Sequence, residues 1–224
     1  MSLLVSIVGG HGQIARQLTT KLVDRGHSVR GLVRSSDQFD DLRSDGAEPV
    51  ECDVEEADAS ALDAALADSD VVVFAAGAGP GSGAERKRSL DRDGAIASVE
   101  SAARVGAGRF VIISSMGADD PPSDIDDDDT FGIYLQAKHD ADVAVRVTAE
   151  QSALAYTIVR PGGLTDDDAT GEVTLAESVD RAEIPRRDVA EVLAELIDSG
   201  TGADRTVEVI SGSTPIPDAV RTLA

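Results

Sequence analysis

Apolar residues fall in short unbroken runs along the chain, and these runs alternate with longer segments in which apolar positions recur every three or four residues. The short runs are rich in β-branched side chains and do not alternate with polar residues, which is typical of parallel strands buried on both faces. Strands are predicted at 3–8, 28–33, 49–52, 70–75, 109–114, 155–160 and 205–210. Helices are predicted at 13–25, 57–67, 84–105, 131–152 and 187–199.

This alternation predicts an α/β fold. We expect a single Rossmann-type, doubly wound parallel sheet of about seven strands with helices on both faces. No linker or shift in composition divides residues 1–224, so one domain is expected, with a small substrate-side portion near its C-terminal end. Two irregular stretches, 77–83 and 119–129, follow predicted strands, where a sheet of this kind places its ligand crevice.

A glycine-rich turn lies between the first predicted strand and the first predicted helix. Gly9, Gly12 and Ala15 have G-x-x-G-x-x-A spacing. Gly9 permits a tight turn, Gly12 lets the backbone approach a pyrophosphate, and Ala15 lets the helix pack close to the strand. The N–H groups and dipole of the helix N-terminus favour phosphate. The turn is therefore predicted to bind a dinucleotide, with an ordinary strand-to-helix turn as the alternative. Further contacts are expected from His11, Gln13 and Ile14.

The end of the second predicted strand bears on which nucleotide is bound. A carboxylate there suits the ribose hydroxyls of NAD, whereas this chain has Arg34 followed by Ser35. A guanidinium group suits a 2′-phosphate, so NADP is favoured over NAD, although Asp37 could reach back to a ribose. Asp53, at the end of the third strand, is placed to accept a hydrogen bond from adenine or to cap the following helix.

A tyrosine and a lysine are spaced to share one face of the fifth predicted helix. Tyr134 and Lys138 are four residues apart, and a nearby cation favours the phenolate form of a phenol. Such a pair can exchange a proton with a carbonyl oxygen while hydride moves to or from a nicotinamide. Ser114 and Ser115 end the preceding strand near the same crevice. The alternative is a surface tyrosine one turn from a lysine.

Together with Ala75, Ala76 and Gly77 after the fourth strand and the Arg160-Pro161-Gly162 segment, these residues resemble a short-chain dehydrogenase/reductase over almost the whole chain. The likeness is greatest to an atypical subgroup that includes NmrA-like and NAD-dependent epimerase/dehydratase proteins. It implies that Tyr134 is the acid/base, that Lys138 holds the nicotinamide ribose and favours the phenolate, and that Ser115 orients the carbonyl. It also implies cofactor contacts from Ala75, Ala76, Gly77, Pro161 and Gly162.

The resemblance has departures that keep two functions open. Asp91 stands where the family has an active-site asparagine, so the usual proton relay is altered. The segment after Gly163 is short for the substrate domain of a full sugar-nucleotide epimerase. One hypothesis is an NADP-dependent oxidoreductase or epimerase acting on a small carbonyl or sugar-like substrate. The other is a non-catalytic NADP-binding redox sensor of the NmrA-like kind.

The net charge of the chain indicates which partners and which salt conditions to expect. The chain has 42 acidic and 20 basic residues, a formal net charge of −22, and the acids are spread along its length. Such a surface repels nucleic acid and anionic membranes, and it is typical of halophilic proteins, whose self-repulsion concentrated salt screens. Against this background, the basic run 86–88 is expected to meet an anionic part of cofactor or substrate, or to be an exposed helix face. The acidic stretch 119–129 is expected to rim the substrate entrance or to be a solvated loop.

The remaining features predict a cytoplasmic protein whose partner is a small-molecule substrate; no oligomeric state is assigned. Cys52 is the single cysteine, so no internal disulfide can form, which fits a reducing compartment. The N-terminus has no basic segment, and its apolar run stops at Gly9, so neither a signal peptide nor a membrane span is expected. His11, His27 and His139 lack ligand spacing, so no metal site is predicted.

Overall fold

The computed structural model describes residues 1–79, 81–126 and 128–224; Pro80, in the stretch 77–83, and Asp127, in the acidic stretch, lie outside the described residues. The strands are β1 Leu4–Val8, β2 Ser28–Val33, β3 Glu48–Glu51, β4 Val71–Phe74, β5 Arg109–Ile113, β6 Ala155–Pro161, β7 Gly163–Thr165, β8 Glu172–Ala176, β9 Glu183–Pro185, β10 Arg205–Ser211 and β11 Thr214–Pro215. The α-helices are α1 Gln13–Asp24, α2 Phe39–Ser44, α3 Ala59–Leu66, α4 Ala84–Arg86, α5 Ala95–Arg104, α6 Thr130–Glu150, α7 Arg186–Ser199 and α8 Ile216–Arg221. A 3₁₀ turn, Ser36–Gln38, precedes α2, and a π-helix, Lys87–Gly94, joins α4 to α5; we call this π-helix the π segment.

Parallel strands form the centre of the molecule, in the order β3-β2-β1-β4-β5-β6-β10. These are the strands that the apolar runs predict, and the α/β doubly wound class is confirmed. The order reverses at β1, because β2 and β3 lie on one side of it and β4 on the other. The crevice beyond the carboxyl ends of β1 and β4, where Val8 pairs with Phe74, is the usual ligand site of such a sheet.

Both faces of these strands are buried, which explains why the apolar runs are unbroken. Successive side chains of a strand point to opposite faces. In β4, Val71 and Val73 belong to the core under α1 and α7, whereas Val72 and Phe74 belong to the core under α3, α5 and α6. All four are 5% exposed or less, so the sheet that carries the site is anchored from both sides.

The sheet has more strands than the expected seven. Antiparallel strands β8 and β11 extend it to nine beyond β10, and β7 pairs with β9 in a separate small sheet. β8 alternates exposed and buried residues, so it lacks the continuous apolar run by which the parallel strands are recognised. The other three added strands are two or three residues long, too short for a periodic pattern.

The helices also differ from their expected form. The helix predicted at 84–105 is interrupted by the π segment, and the six-residue helices α2 and α8 are not predicted because they span fewer than two turns. Acidic residues start two of the predicted helices: Asp58 accepts a hydrogen bond from the N–H of Ala61 in α3, and Asp129 accepts one from Gly132 in α6. Among the described residues, no helix is both long enough and apolar enough to cross a membrane.

Candidate functional site

The glycine turn follows β1 in a conformation that depends on missing side chains. Gly9 has φ of +79°, and a Cβ there would lie 2.6 Å from the Cα of Ala76 in the neighbouring strand-end loop. A Cβ on Gly10 would lie 2.8 Å from the Cα of Gly31. The N–H groups of Gly9 and Gly10 both donate to the Leu32 carbonyl, at 3.1 and 2.9 Å. The turn is thus held between the ends of β2 and β4, close to the crevice.

The N-terminus of α1 faces this crevice without a protein cap. Gly12 is the N-cap residue and forms no side-chain capping bond, and the first turn of α1 contains no acidic residue. In a chain with a net charge of −22, that absence leaves the positive end of the helix dipole uncompensated. Exposed N–H groups beside a residue without a Cβ form a cradle that fits a pyrophosphate.

A first cavity of about 300 Å³ opens on the β2 side of the turn. Arg34 lines it, is exposed, and forms no ion pair or side-chain hydrogen bond with a described residue. Ser35 accepts the Asp37 N–H at 3.3 Å and so caps the 3₁₀ turn. Asp37 lies outside the lining of this cavity. The free guanidinium group is therefore the polar group available to a ligand at the end of β2.

Asp53 and His11 also line the first cavity. The Oδ1 of Asp53 accepts the Glu55 N–H at 3.1 Å, and because Asp58 caps α3, Asp53 is not the cap of that helix. His11 is held by the region of α2: its Nε2 lies 2.7 Å from Asp41, and its Nδ1 lies 3.2 Å from Gln38. His11 thus tethers the glycine turn while remaining at the cavity wall. Burial, followed by the nearby Asp53 carboxylate, raises the pKa of the Cys52 thiol in the same cavity.

A second cavity of about 520 Å³ lies on the other side of the turn. Four residues line both cavities, so the two spaces meet at the glycine turn and the end of β4: Gly12, Ala75, Ala76 and Gly77. The second cavity has an apolar part formed by Ile14, Ile113, Phe131 and Leu164. Its charged lining consists of Lys87, Asp91, Lys138 and Arg186.

Tyr134, Lys138 and Asp91 come together in the second cavity. Lys138 Nζ lies 3.5 Å from Asp91 Oδ1, 5.8 Å from the centroid of the Tyr134 ring, and donates to the Ile113 carbonyl at 3.1 Å. Lys138 and Asp91 are 3% and 1% exposed, whereas Tyr134 is half-buried and its hydroxyl has no partner among the described residues. The lysine is thus fixed by a buried carboxylate, and the phenol is available to a ligand.

Asp91 belongs to the π segment and fixes more than the lysine. Its Oδ2 accepts the Ala78 N–H at 3.1 Å, which holds the loop after β4 against the helix. Widened π turns within helices are frequent at functional sites. Asp91, which stands at the expected asparagine position, therefore acts in this structure as the counter-ion of Lys138.

Lys87 is the member of the basic run 86–88 that lines the second cavity. It is 8% exposed, its Nζ lies 5.1 Å from the Tyr134 ring centroid, and it donates to the Gly79 carbonyl at 2.9 Å. Burial lowers the pKa of Lys87; the Asp91 carboxylate raises it in part, and Lys138 lowers it further. The other two members of the basic run 86–88 lie elsewhere. Arg86 pairs with Glu55 at 3.2 Å beside the first cavity, and Arg88 lines neither of the two cavities.

The two serines after β5 occupy different places. Ser115 donates to the Met116 carbonyl at 3.2 Å and lines neither cavity, whereas the adjacent Ser114 is buried and lines the second cavity. The Ser114 hydroxyl lies near enough to Asp142 to help lower that carboxyl's pKa, but neither Ser114 Oγ nor Asp142 Oδ1 meets hydrogen-bond geometry with a partner. Strand periodicity cannot choose between adjacent residues at a strand end, where the backbone leaves the sheet.

Pro161 and Gly162 lie at the end of β6 and line neither cavity. The Pro161 carbonyl accepts the Met116 N–H at 3.3 Å, and a Cβ on Gly162 would collide with the Ala182 carbonyl. Leu164 and Arg186, contributed by β7 and by the first turn of α7, reach the second cavity instead. Leu164 and Arg186 lie beyond the strand predicted at 155–160, and no local sequence pattern identifies them as site residues.

A buried ion cluster supports the wall behind the site. Arg160 donates to Asp142 at 2.9 and 2.7 Å and also pairs with Asp119, the first residue of the acidic stretch. Burial raises the pKa of Asp142 despite the opposing effect of Arg160, while the arginine lowers the pKa of Asp119. Asp119 is held by its ion pair with Arg160, and Asp129 caps α6. Both ends of the acidic stretch 119–129 therefore contribute to the structure.

The fold and the glycine turn define a nucleotide-binding α/β protein. The sequence pattern of the NAD(P)H-binding family matches residues 9–200, and the chain belongs to that family. It is 34% identical over 220 residues to "Uncharacterized sugar epimerase YhfK" of Bacillus subtilis, covering 98% of this chain and 99% of the relative.

Two solved structures extend the comparison. A Bacillus halodurans protein named "Putative NAD-dependent epimerase/dehydratase" has 38% identity and a TM-score of 0.88, covering 99% of this chain and 100% of that one. A short-chain dehydrogenase/reductase from Veillonella parvula, solved in complex with NADP, has 18% identity and a TM-score of 0.70, covering 96% and 97%. At 18% identity, the similarity to the Veillonella parvula protein shows a shared fold alone.

Proposed function

We propose that this protein is an NADPH-dependent oxidoreductase that reduces a small carbonyl compound bound in the second cavity. The observation that carries the proposal is the cluster of Tyr134, Lys138 and Asp91 in a cavity that adjoins the glycine turn. Family membership supports nicotinamide binding, and the epimerase and dehydratase names of relatives are consistent with reversible hydride chemistry.

The residues of the first cavity and the turn would hold the cofactor. The uncapped N-terminus of α1 would receive the pyrophosphate, Asp53 the adenine, and Arg34 the 2′-phosphate that distinguishes NADP from NAD. Arg34 favours NADP because its guanidinium group has no competing partner among the described residues. When bound, the reduced cofactor would supply two electrons as hydride to the substrate carbon.

The protein residues would manage the proton. Tyr134 would donate its phenolic proton to the carbonyl oxygen, so that the carbonyl becomes an alcohol once carbon has received hydride. Lys138 would favour the resulting phenolate, and Asp91 would hold Lys138 in place. Ser115, which the family resemblance indicates, stays the candidate hydroxyl for the carbonyl oxygen, because the Ser114 hydroxyl is buried beside Asp142 although Ser114 lines the cavity.

The proposal is tested by NADPH oxidation against aldehydes, ketones and quinones in concentrated KCl, with wild-type protein and Tyr134→Phe. A general acid contributes about 10²- to 10⁴-fold, so the variant should lose kcat by that factor while its NADPH Kd stays unchanged. Tyr156→Phe is the matched control, because Tyr156 belongs to β6, packs partly buried against the core and lines neither cavity.

Two results would count against the proposal. Equal turnover by wild type and Tyr134→Phe would remove the tyrosine from the reaction. Tight NADPH binding with no turnover of any compound would favour the redox-sensor alternative.

A further inference from the structure

The second cavity is cationic inside a strongly acidic protein. Of its charged residues, Lys138 is paired with Asp91, and Arg186 is paired with Asp166 at 2.8 Å. Lys87 forms no ion pair with a described residue, and the one hydrogen bond of its side chain among them is to the Gly79 carbonyl. The cavity wall thus carries one positive charge more than its described carboxylates neutralise.

An uncompensated buried ammonium group is unfavourable, because burial removes water that a neutral carbonyl replaces only in part. The chain contains 42 acidic residues, yet none of those described pairs with Lys87. A ligand that brings its own negative charge would complete the site. The compensation required is one charge, which matches a carboxylate better than a phosphate dianion.

The position of Lys87 indicates which ligand this would be. Its Nζ lies 5.1 Å from the Tyr134 ring centroid and lines the second cavity, but not the first. Phe131 and Leu164 give the same cavity an apolar wall for the rest of the molecule. A substrate anchored on Lys87 would therefore have its carbonyl near Tyr134 and an apolar body beside it.

We propose that Lys87 binds a carboxylate of the substrate, which makes the substrate class a carbonyl compound with one carboxylate and an apolar body. The claim about turnover rests on the proposed function, whereas the claim about binding can be tested without it. A competing role, contact with the cofactor phosphates, predicts that loss of Lys87 weakens NADP⁺ binding.

The test is equilibrium binding to protein saturated with NADP⁺, which cannot reduce a ketone. The ligands are phenylglyoxylate and its methyl ester, which share a carbonyl and an aromatic ring but differ in charge. A hydrogen bond between charged groups changes affinity by about 10- to 100-fold, so wild type should bind the carboxylate tighter than the ester by at least about tenfold.

Three variants separate the explanations. Lys87→Met should abolish the preference for the carboxylate with the NADP⁺ Kd unchanged, and it should fold because it removes an unpaired buried charge. Lys87→Arg should retain most of the preference. Arg88→Met removes a charge from the same π segment outside both cavity linings, so it should leave the preference intact.

Several outcomes would overturn the inference: equal binding of acid and ester, no saturable binding of phenylglyoxylate, a preference that survives in Lys87→Met, or weaker NADP⁺ binding in that variant. If the carboxylate preference depends on Lys87 but NADPH does not reduce phenylglyoxylate or any other carbonyl, the inference stands and the proposed reaction fails. The two claims can therefore fail separately.

Discussion

Neutralising Asp91 tests whether the centre of the site is a true buried ion pair. Asp91→Asn keeps the shape and an oxygen that can accept the Ala78 N–H, but it removes the charge opposite Lys138. At the observed 3.5 Å, Coulomb's law with an effective dielectric constant of about 20 gives an attraction of about 5 kcal/mol. Measured losses on breaking one side of a buried pair are about 3–5 kcal/mol, so we expect a destabilisation of that size.

Thermal unfolding at fixed KCl concentration measures the effect. For a chain of this length, about 2–4 °C of Tm per kcal/mol gives an expected decrease of about 6–20 °C. Asp40→Asn is the matched control, because Asp40 pairs with Arg43 at 3.1 Å in a fully exposed position where such pairs contribute under about 1 kcal/mol. A double-mutant cycle with Lys138→Met should return a coupling energy well above that of the surface pair.

An Asp91→Asn protein as stable as Asp40→Asn, or a coupling energy near zero, would refute the interpretation of Asp91 as the counter-ion of Lys138. In that case the aspartate would be an ordinary loop anchor through Ala78. The same variant should lower kcat with the NADPH Kd unchanged, since in the proposed reaction Asp91 acts through Lys138.

Three further outcomes follow from other parts of the structure. Arg34→Ala should weaken NADPH binding by about 10- to 100-fold and NADH binding little, whereas Arg43→Ala should change neither; equal losses for both cofactors would remove the reason for preferring NADP. The Tm should rise between dilute buffer and molar KCl, because a net charge of −22 is screened when the Debye length falls to about 3 Å; an unchanged midpoint would contradict a halophilic surface. Because burial raises the pKa of Cys52, the rate of its alkylation at pH 8 should be lower than that of a free thiol and should keep rising above pH 9. NADP⁺ should protect Cys52, because this residue lines the first cavity. Rapid labelling that NADP⁺ does not slow would show that the first cavity is not the nucleotide site.

Local patterns in the chain were enough to predict the parallel strands, the longer helices between them and the glycine turn, because each of these depends on local periodicity or on a backbone that excludes a Cβ. Tyr134 and Lys138 were recognisable for the same reason, since four-residue spacing on a helix places side chains together without reference to the rest of the chain. Short or one-sided elements such as β8 and α8 lie below the length at which periodicity is distinctive.

Only the tertiary structure decided what surrounds that tyrosine. Packing of the π segment against α6 brings Lys87 and Asp91 to Tyr134 and Lys138, although more than forty residues of sequence separate the two pairs. Which of the two serines lines the cavity, Ser114 and not Ser115, depends on how the chain leaves β5. Such juxtapositions arise from long-range packing, and the charge balance of a cavity exists only after distant residues have been brought to a common wall.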